Sequence, residues 1–299
     1  MSAEIEVIIN GGSGSVQQDE TKQFLENLFA ENNLEVNIHL AKNGNEILHL
    51  TKLALETTAK IIVAGGGDGT ISAVASKIIE TDKTLGILPL GTLNNFSKDL
   101  QIPQDLAEAV KIIAENFTKE IDIGEVNGRT FVNNSSIGFY PRIVRKRQKE
   151  QNRGRGKWNA AFWATLKIFH LSPFLKVKLK VDKKEFLRKT PFVFVGNNEY
   201  EMDFFNIGRR KCLDEGKLSI YFLHRSGRTG LFMLAFRLIS GRLRQGKDFE
   251  EVNTEEITIQ MRKKRILVAF DGEIAVLQTP LHYKILPKVL RVIVPKTSS

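Results

Sequence analysis

Among 299 residues there is a single cysteine, Cys212. That excludes an internal disulfide framework and fits a reducing compartment, with Cys212 expected as a packing residue. Long apolar runs are also missing. None approaches the ~18 residues that cross a bilayer, and Leu231–Phe236 is stopped by Arg237. The opening MSAEIEVIIN lacks a basic stretch ahead of an apolar one, so no signal peptide is expected and a cytoplasmic chain is. The five histidines (His39, His49, His170, His224 and His282) are scattered without metal-ligand spacing. Acidic residues are in deficit, 34 against 44 Lys and Arg, leaving a net charge of +10. Such a balance asks for an anionic partner: nucleic acid, nucleotide phosphates or an acidic lipid surface. No RNA-binding aromatic motif or DNA-reading helix is visible, so nucleic acid is not expected.

What is present changes character near Ile121. Before it, strands alternate with helical patterns. Glu4–Ile9 is read as a strand, as is Leu34–Leu40. "IIVA" from Ile61 and "LGILPL" from Leu85 complete the set. Helical faces fall between them, with a last helix from about Gln104 to Asn116, and this alternation predicts a parallel sheet covered by helices. After Ile121 strand-like runs dominate, starting with a hairpin around Asn127-Gly128, where both turn positions need positive φ. The expected fold is an α/β domain over 1–121 followed by a mainly antiparallel β-sandwich over 122–283. The closing segment, about 284–299, is open to return to the first domain. With no flexible linker between them, the two are expected to share a cleft.

Three loops follow apolar strands and precede helices: Asn10–Ser15, Gly65–Thr70 and Gly91–Asn95. Ligands in open α/β sheets bind beyond the carboxyl ends of the strands. There, glycine-rich turns let amides converge on phosphate oxygens at a helix start. No Gly-Lys-Ser/Thr is present, and Thr70 stands where a dinucleotide fingerprint would have its third glycine. Asp68 either caps the following helix or holds a magnesium ion beside phosphates. Asp271-Gly272-Glu273 reads, on its own, as a polar turn between two strands.

The ordered set "VIINGGSGS", "GGGDGTISAV", "LGILPLGTLNNFSKDL", "IDIGEVNGRTFVNNSSIGF", "VGNNEYEMDFFNIGRRKCLDEGKLSIYFL" and "FDGEIAVLQTP" resembles the diacylglycerol kinase catalytic-domain family along nearly the whole chain. The family includes bacterial lipid kinases and sphingosine kinases, with NAD kinases more distant. The resemblance implies ATP binding and transfer of the γ-phosphoryl group to a lipid hydroxyl, with Mg2+. Position by position it implies nucleotide contacts from Asn10, Gly11, Gly12, Ser13 and Gly14. It adds Gly66, Gly67, Asp68, Gly69, Thr70, Ile71 and Ser72, then Thr92 and Asn94. It makes Glu273 the proton acceptor, with Asp271 and Asp68 also catalytic. A structural magnesium site is implied at the carbonyls of Cys212 and Lys217 and the side chain of Glu215, where the family has aspartate. Further departures are "NGGSG" without the family's proline, Asn95 in place of aspartate, Leu40 and Ala41 where a threonine is expected, and "IGFYPRIV" without its aspartate.

A lipid substrate implies peripheral docking on an anionic inner membrane surface. The candidates are the basic run Arg142–Lys157 with the amphipathic stretch Trp158–Leu171, and a second stretch over Leu231–Leu243. An NAD kinase and a non-catalytic nucleotide-binding regulator stay open as alternatives. Diacylglycerol is the default substrate.

Overall fold

The computed structural model describes residues 4–11, 15–138, 141, 174–181, 184–201, 209–210, 212–223 and 249–296. The chain divides into two compact units, Met1–Ile123 with Pro287–Ser299, and Gly124–Leu286.

The first unit opens with β1 (Ile5–Asn10), α1 (Ser15–Glu31), β2 (Val36–Ala41), α2 (Gly44–Glu56), β3 (Ile61–Gly66) and α3 (Asp68–Ile78). It continues with β4 (Thr84–Pro89), the short α4 (Asn95–Asp99) and α5 (Leu106–Glu115). The strands pair in parallel in the order β2-β1-β3-β4. β1, β3 and β4 are almost wholly buried and mainly apolar, as strands covered on both faces must be; the exception inside β1 is Glu6, whose buried carboxylate meets His39 Nε2 at 2.6 Å. Crossovers run one way from β1 to β2 and the other way from β2 through β3 to β4. Right-handed connections therefore put α1 on the face opposite α2 and α3, and α2 packs on α3 while α1 packs on α5. The order reverses between β1 and β3. That is the switch point of the sheet.

Local signals fix the helix ends. The Asn43 side chain accepts the amides of Asn45 and Glu46, and Glu46 returns a bond from the amide of Lys42, starting α2. Asp105 caps α5, so that helix begins at Leu106 rather than near Gln104, and left-handed Asn116 ends it. β2 begins two residues later than the alternation of Leu34–Leu40 suggested, because Asn32 to Leu34 turn back onto the end of α1.

The second unit takes in the ends of β5 (Thr118–Val126) and β18 (Leu281–Ile293), the two strands that carry the chain across the division. Between them lie β6 (Arg129–Phe131), β7 (Asn134–Gly138), β8 (Leu175–Val181), β9 (Lys184–Thr190) and β10 (Phe192–Asn197). Next come β11 (Tyr200–Glu201), β12 (Arg209–Arg210), β13 (Leu218–Leu223) and β14 (Phe249–Thr254). β15 (Glu256–Gln260), β16 (Arg265–Phe270) and β17 (Glu273–Gln278) complete it. One antiparallel sheet runs β14-β13-β10-β7-β16-β17. A second layer pairs β9 with β8, β8 with β15 and β15 with the start of β18. Alternate residues of both, among them Val177, Leu179, Val193, Val195, Ile220, Ile259 and Val268, meet in one apolar core. This is a β-sandwich built on period-two patterning.

Candidate functional site

The three glycine-rich loops leave the carboxyl ends of β1, β3 and β4, which are neighbours in the sheet, and side chains latch them together. Asn10 Nδ2 donates to Thr70 Oγ1 at 3.2 Å, tying the first loop to the second. The Asp68 carboxylate accepts the amides of Asn95 at 3.2 Å and Phe96 at 2.9 Å, tying the second to the third. Asn94 is left-handed (φ 51°, ψ 44°) and makes no cap with its own side chain. Asp68 supplies that cap from the neighbouring loop, so its carboxylate closes α4 and not α3. The Asn94 amide group is turned inward instead, donating to the carbonyls of Pro89 and Gly91 and to Gln104 Oε1.

Glycine is needed here for close approach of one loop to the next. A Cβ on Gly91 would stand 2.3 Å from Gly67 Cα, and one on Gly66 would stand 2.5 Å from Thr70 Oγ1. At Gly69 the same atom would meet nothing within 4 Å. At the start of α3 the amides of Thr70 and Ile71 already donate to Gly67 O, so the amides that a helix start leaves without an intrahelical acceptor are those of Asp68 and Gly69.

Of the residues expected to touch nucleotide, Asn10, Gly11, Gly66, Gly67, Asp68, Gly69, Thr70, Ser72, Thr92 and Asn94 lie in or beside these loops. Gly12, Ser13 and Gly14 lie outside the described residues. Ile71 belongs elsewhere: its side chain is wholly buried in the core and its amide donates to Gly67 O. Gly67, Gly69 and Gly91 are half-buried, open to approach by a phosphate-bearing ligand. Asn94 Oδ1 is a buried acceptor without a donor among the described residues, a place for a ligand N–H or O–H rather than for a phosphate oxygen.

In the second unit, Asp271 (φ 47°) and Gly272 (φ 84°) form a two-residue turn between β16 and β17, with Phe270 opposite Glu273. The Asp271 carboxylate is buried and accepts three backbone amides, from Val132 (2.7 Å), Asn133 (2.9 Å) and Asn134 (3.1 Å). This carboxylate is thus committed to the backbone of the 132–134 segment. The carbonyls of the same 132–134 segment are held from the other side. Arg210 donates to Val132 O and Asn133 Oδ1, Asn197 to Val132 O, and the Tyr200 hydroxyl to Asn133 O. Sequence reading missed this clamp. The paired asparagines in "FVNN" and "VGNN" are its only trace.

Glu273 begins β17 with its side chain exposed. Desolvation by the surrounding protein raises its pKa above the ordinary carboxylate value; the negative Asp271 adds to this, and Arg129 opposes it. A carboxylate so shifted is a better proton acceptor near neutrality.

At the residues expected to form the structural metal set, the chain supplies its own partners. Lys217 Nζ lies 2.9 Å from Glu215 Oε2 and 3.4 Å from Glu199 Oε2, so the Glu215 carboxylate is already paired with a cation of the chain. The Lys217 carbonyl accepts the amide of Asn198, whose side chain accepts the amide of Glu215. Cys212 is a half-buried free thiol. Among the described residues, no group of three His, Cys, Asp or Glu could hold a metal ion. The segments Arg142–Lys157, Trp158–Leu171 and Leu231–Leu243 lie outside the described residues. Among those described, no helix is long and apolar enough to cross a membrane.

Comparison with known proteins follows the division of the fold. Residues 4–126 match the model of the diacylglycerol kinase catalytic domain, and residues 138–294 match the YegS C-terminal NAD kinase beta sandwich-like domain. The chain is 37% identical over 121 residues to a probable lipid kinase YegS-like protein of Klebsiella pneumoniae, covering 40% of this chain and 41% of that one. It is 28% identical over 178 residues to a diacylglycerol kinase of Staphylococcus haemolyticus, covering 58% and 53%. The matches therefore span about half the length of these curated relatives. Two solved structures from Bacillus anthracis str. Sterne share the fold. One, of a diacylglycerol kinase, has a TM-score of 0.67 at 23% identity and covers 99% of this chain and 98% of its own. The other has a TM-score of 0.77 at 24% identity, covering 99% and 96%. The chain belongs to the diacylglycerol kinase-like lipid kinase family.

Proposed function

We propose that the chain transfers the γ-phosphoryl group of ATP to a lipid hydroxyl, with diacylglycerol as the substrate and phosphatidic acid as the product. The observation that carries this reading is the latching of three glycine-rich loops side by side at the switch point of a parallel sheet. Phosphoryl transfer has a loose transition state, so alignment and charge neutralisation supply most of the catalysis. The loops are suited to the first task, because Asn10, Asp68 and Asn94 hold them in one arrangement before any ligand arrives. Each Asp68 oxygen accepts one amide, and its remaining lone pairs could serve a nucleotide-borne Mg2+, which neutralises phosphate charge. Glu273 is assigned the lipid hydroxyl. As the lipid oxygen bonds to the γ-phosphorus and the bond to ADP breaks, the hydroxyl proton passes to its carboxylate. Peripheral contact with an anionic membrane belongs to the same reading.

The test is to incubate the protein with ATP, Mg2+ and a panel of diacylglycerol, sphingoid base, phosphatidylglycerol and NAD, and to follow phosphate into each. Transfer to diacylglycerol is expected. Transfer to NAD and to no lipid would make it an NAD kinase, and nucleotide binding without transfer would make it a regulator.

A further inference from the structure

We infer that the outward face of the β8–β9 hairpin docks the protein on an anionic lipid bilayer; this rests on the lipid-kinase reading and adds to it where the membrane is met. Burial fixes the faces. Val177, Leu179 and Val181 enter the sandwich core, so Lys176, Lys178 and Lys180 stand on the opposite side of β8. The strand register places Lys189 opposite Lys176, Leu187 opposite Lys178 and Glu185 opposite Lys180. Four ammonium groups therefore share this face with one carboxylate, Glu185, which is paired with both Lys178 (2.6 Å) and Lys180 (3.0 Å). Leu187, in the middle, is 76% exposed. The Phe174 ring reaches Lys189, 5.6 Å from its ammonium.

Two features of this face work against the isolated protein. Like charges directly opposite on paired strands are destabilising, as Lys176 and Lys189 are. A leucine as exposed as Leu187 on the last strand of a sheet invites self-association. Lysines on an edge strand alone would serve to discourage edge-to-edge pairing. That role does not account for three of them lying on the inner strand β8, nor for Leu187 among them. A bilayer of anionic lipids accommodates both features: headgroup phosphates meet the ammonium groups, and Leu187 and Phe174 enter the interface. The geometry is that of a surface contact by a sheet, with nothing crossing the membrane.

Sedimentation with vesicles tests it directly. The full chain is expected to bind vesicles of phosphatidylglycerol and phosphatidylcholine, to ignore phosphatidylcholine alone, and to weaken as salt rises. Replacing Lys176, Lys180 and Lys189 by glutamine should weaken binding about a hundredfold, at roughly a kilocalorie per lysine near an anionic leaflet. Leu187→Ser should weaken it with little change in salt dependence. Cooperative thermal unfolding at or above the parent's midpoint identifies folded variants, and the corresponding lysine-to-arginine protein should bind as the parent does. Loss of less than about threefold in the glutamine variant would overturn the proposal, as would a Leu187-dependent dimer that binds no vesicle, or equal binding to RNA. Turnover of a monomeric short-chain diacylglycerol is a separate readout. If neither the parent nor the variant phosphorylates it, the kinase reading fails while the docking result stands.

Discussion

Two neighbouring acids in one hairpin illustrate how backbone placement divides labour. Asp271 sits in the turn with its carboxylate buried against the amides of Val132, Asn133 and Asn134, while Glu273, two residues on, is exposed with a raised pKa. Asp271→Ala leaves those three donors without their acceptor. At about 1–3 kcal/mol for each unsatisfied buried group, a loss of at least ~3 kcal/mol is expected, read by denaturant unfolding. Glu273→Gln should behave in the opposite way. A raised folded pKa means that the native state binds the proton more tightly than the unfolded chain does. The ionised form of Glu273 therefore costs stability as pH rises from the ordinary glutamate value through the raised one. The glutamine variant should be at least as stable as the parent at neutral pH, and melting curves above and below that window check the sign. Activity has its own signature: turnover should fall on acidification with a midpoint above that of an ordinary carboxylate. A midpoint at the ordinary value would remove Glu273 from the pH profile.

Elements matter here through their ends. β3 and β4 deliver Gly67 and Gly91 into contact, and Asp68 spans from one loop to cap the helix that follows the other. Gly91→Ala has no room for its new atom, and overpacking of this kind costs about 1–3 kcal/mol. Because the collision is with Gly67 Cα, at the start of α3, nucleotide affinity should fall with stability; calorimetric titration with ATP measures both. Asp68→Ala should cost about 1 kcal/mol through the lost cap, with a larger loss in turnover as the third loop loosens. The strands and longer helices of the parallel sheet, several strands of the sandwich and both positive-φ turns were legible in the sequence because period and Asn-Gly or Asp-Gly turns are local signals; the short α4 and the polar strands β9 and β14 were not. Nor were the latches. Asp68 reads in sequence as a cap for its own helix, and only the side-by-side placement of β3 and β4 brings Asn95 and Phe96 to it. Ile71 shows the converse: it lies within a motif, yet the helical face it occupies turns it into the core. Around Glu215 nothing in the sequence signals that Lys217, two residues on, pairs with its carboxylate.

At the scale of the molecule, each unit carries one kind of chemistry. The parallel sheet gathers glycine-rich backbone at its carboxyl edge, and the sandwich carries the shifted carboxylate on a hairpin clamped by Asp271 and Arg210. Family membership joins the two in one lipid kinase chain, and the proposed reaction needs both. The Glu273→Gln protein, assayed with radiolabelled ATP, Mg2+ and diacylglycerol in mixed micelles alongside a nucleotide-binding titration, tests that division most directly. Phosphatidic acid formation should fall by about 10²–10⁴-fold, the range for removal of a positioned proton acceptor, with ATP affinity unchanged. Unaltered turnover in the variant, or no phosphorylated lipid from the parent, would contradict the account.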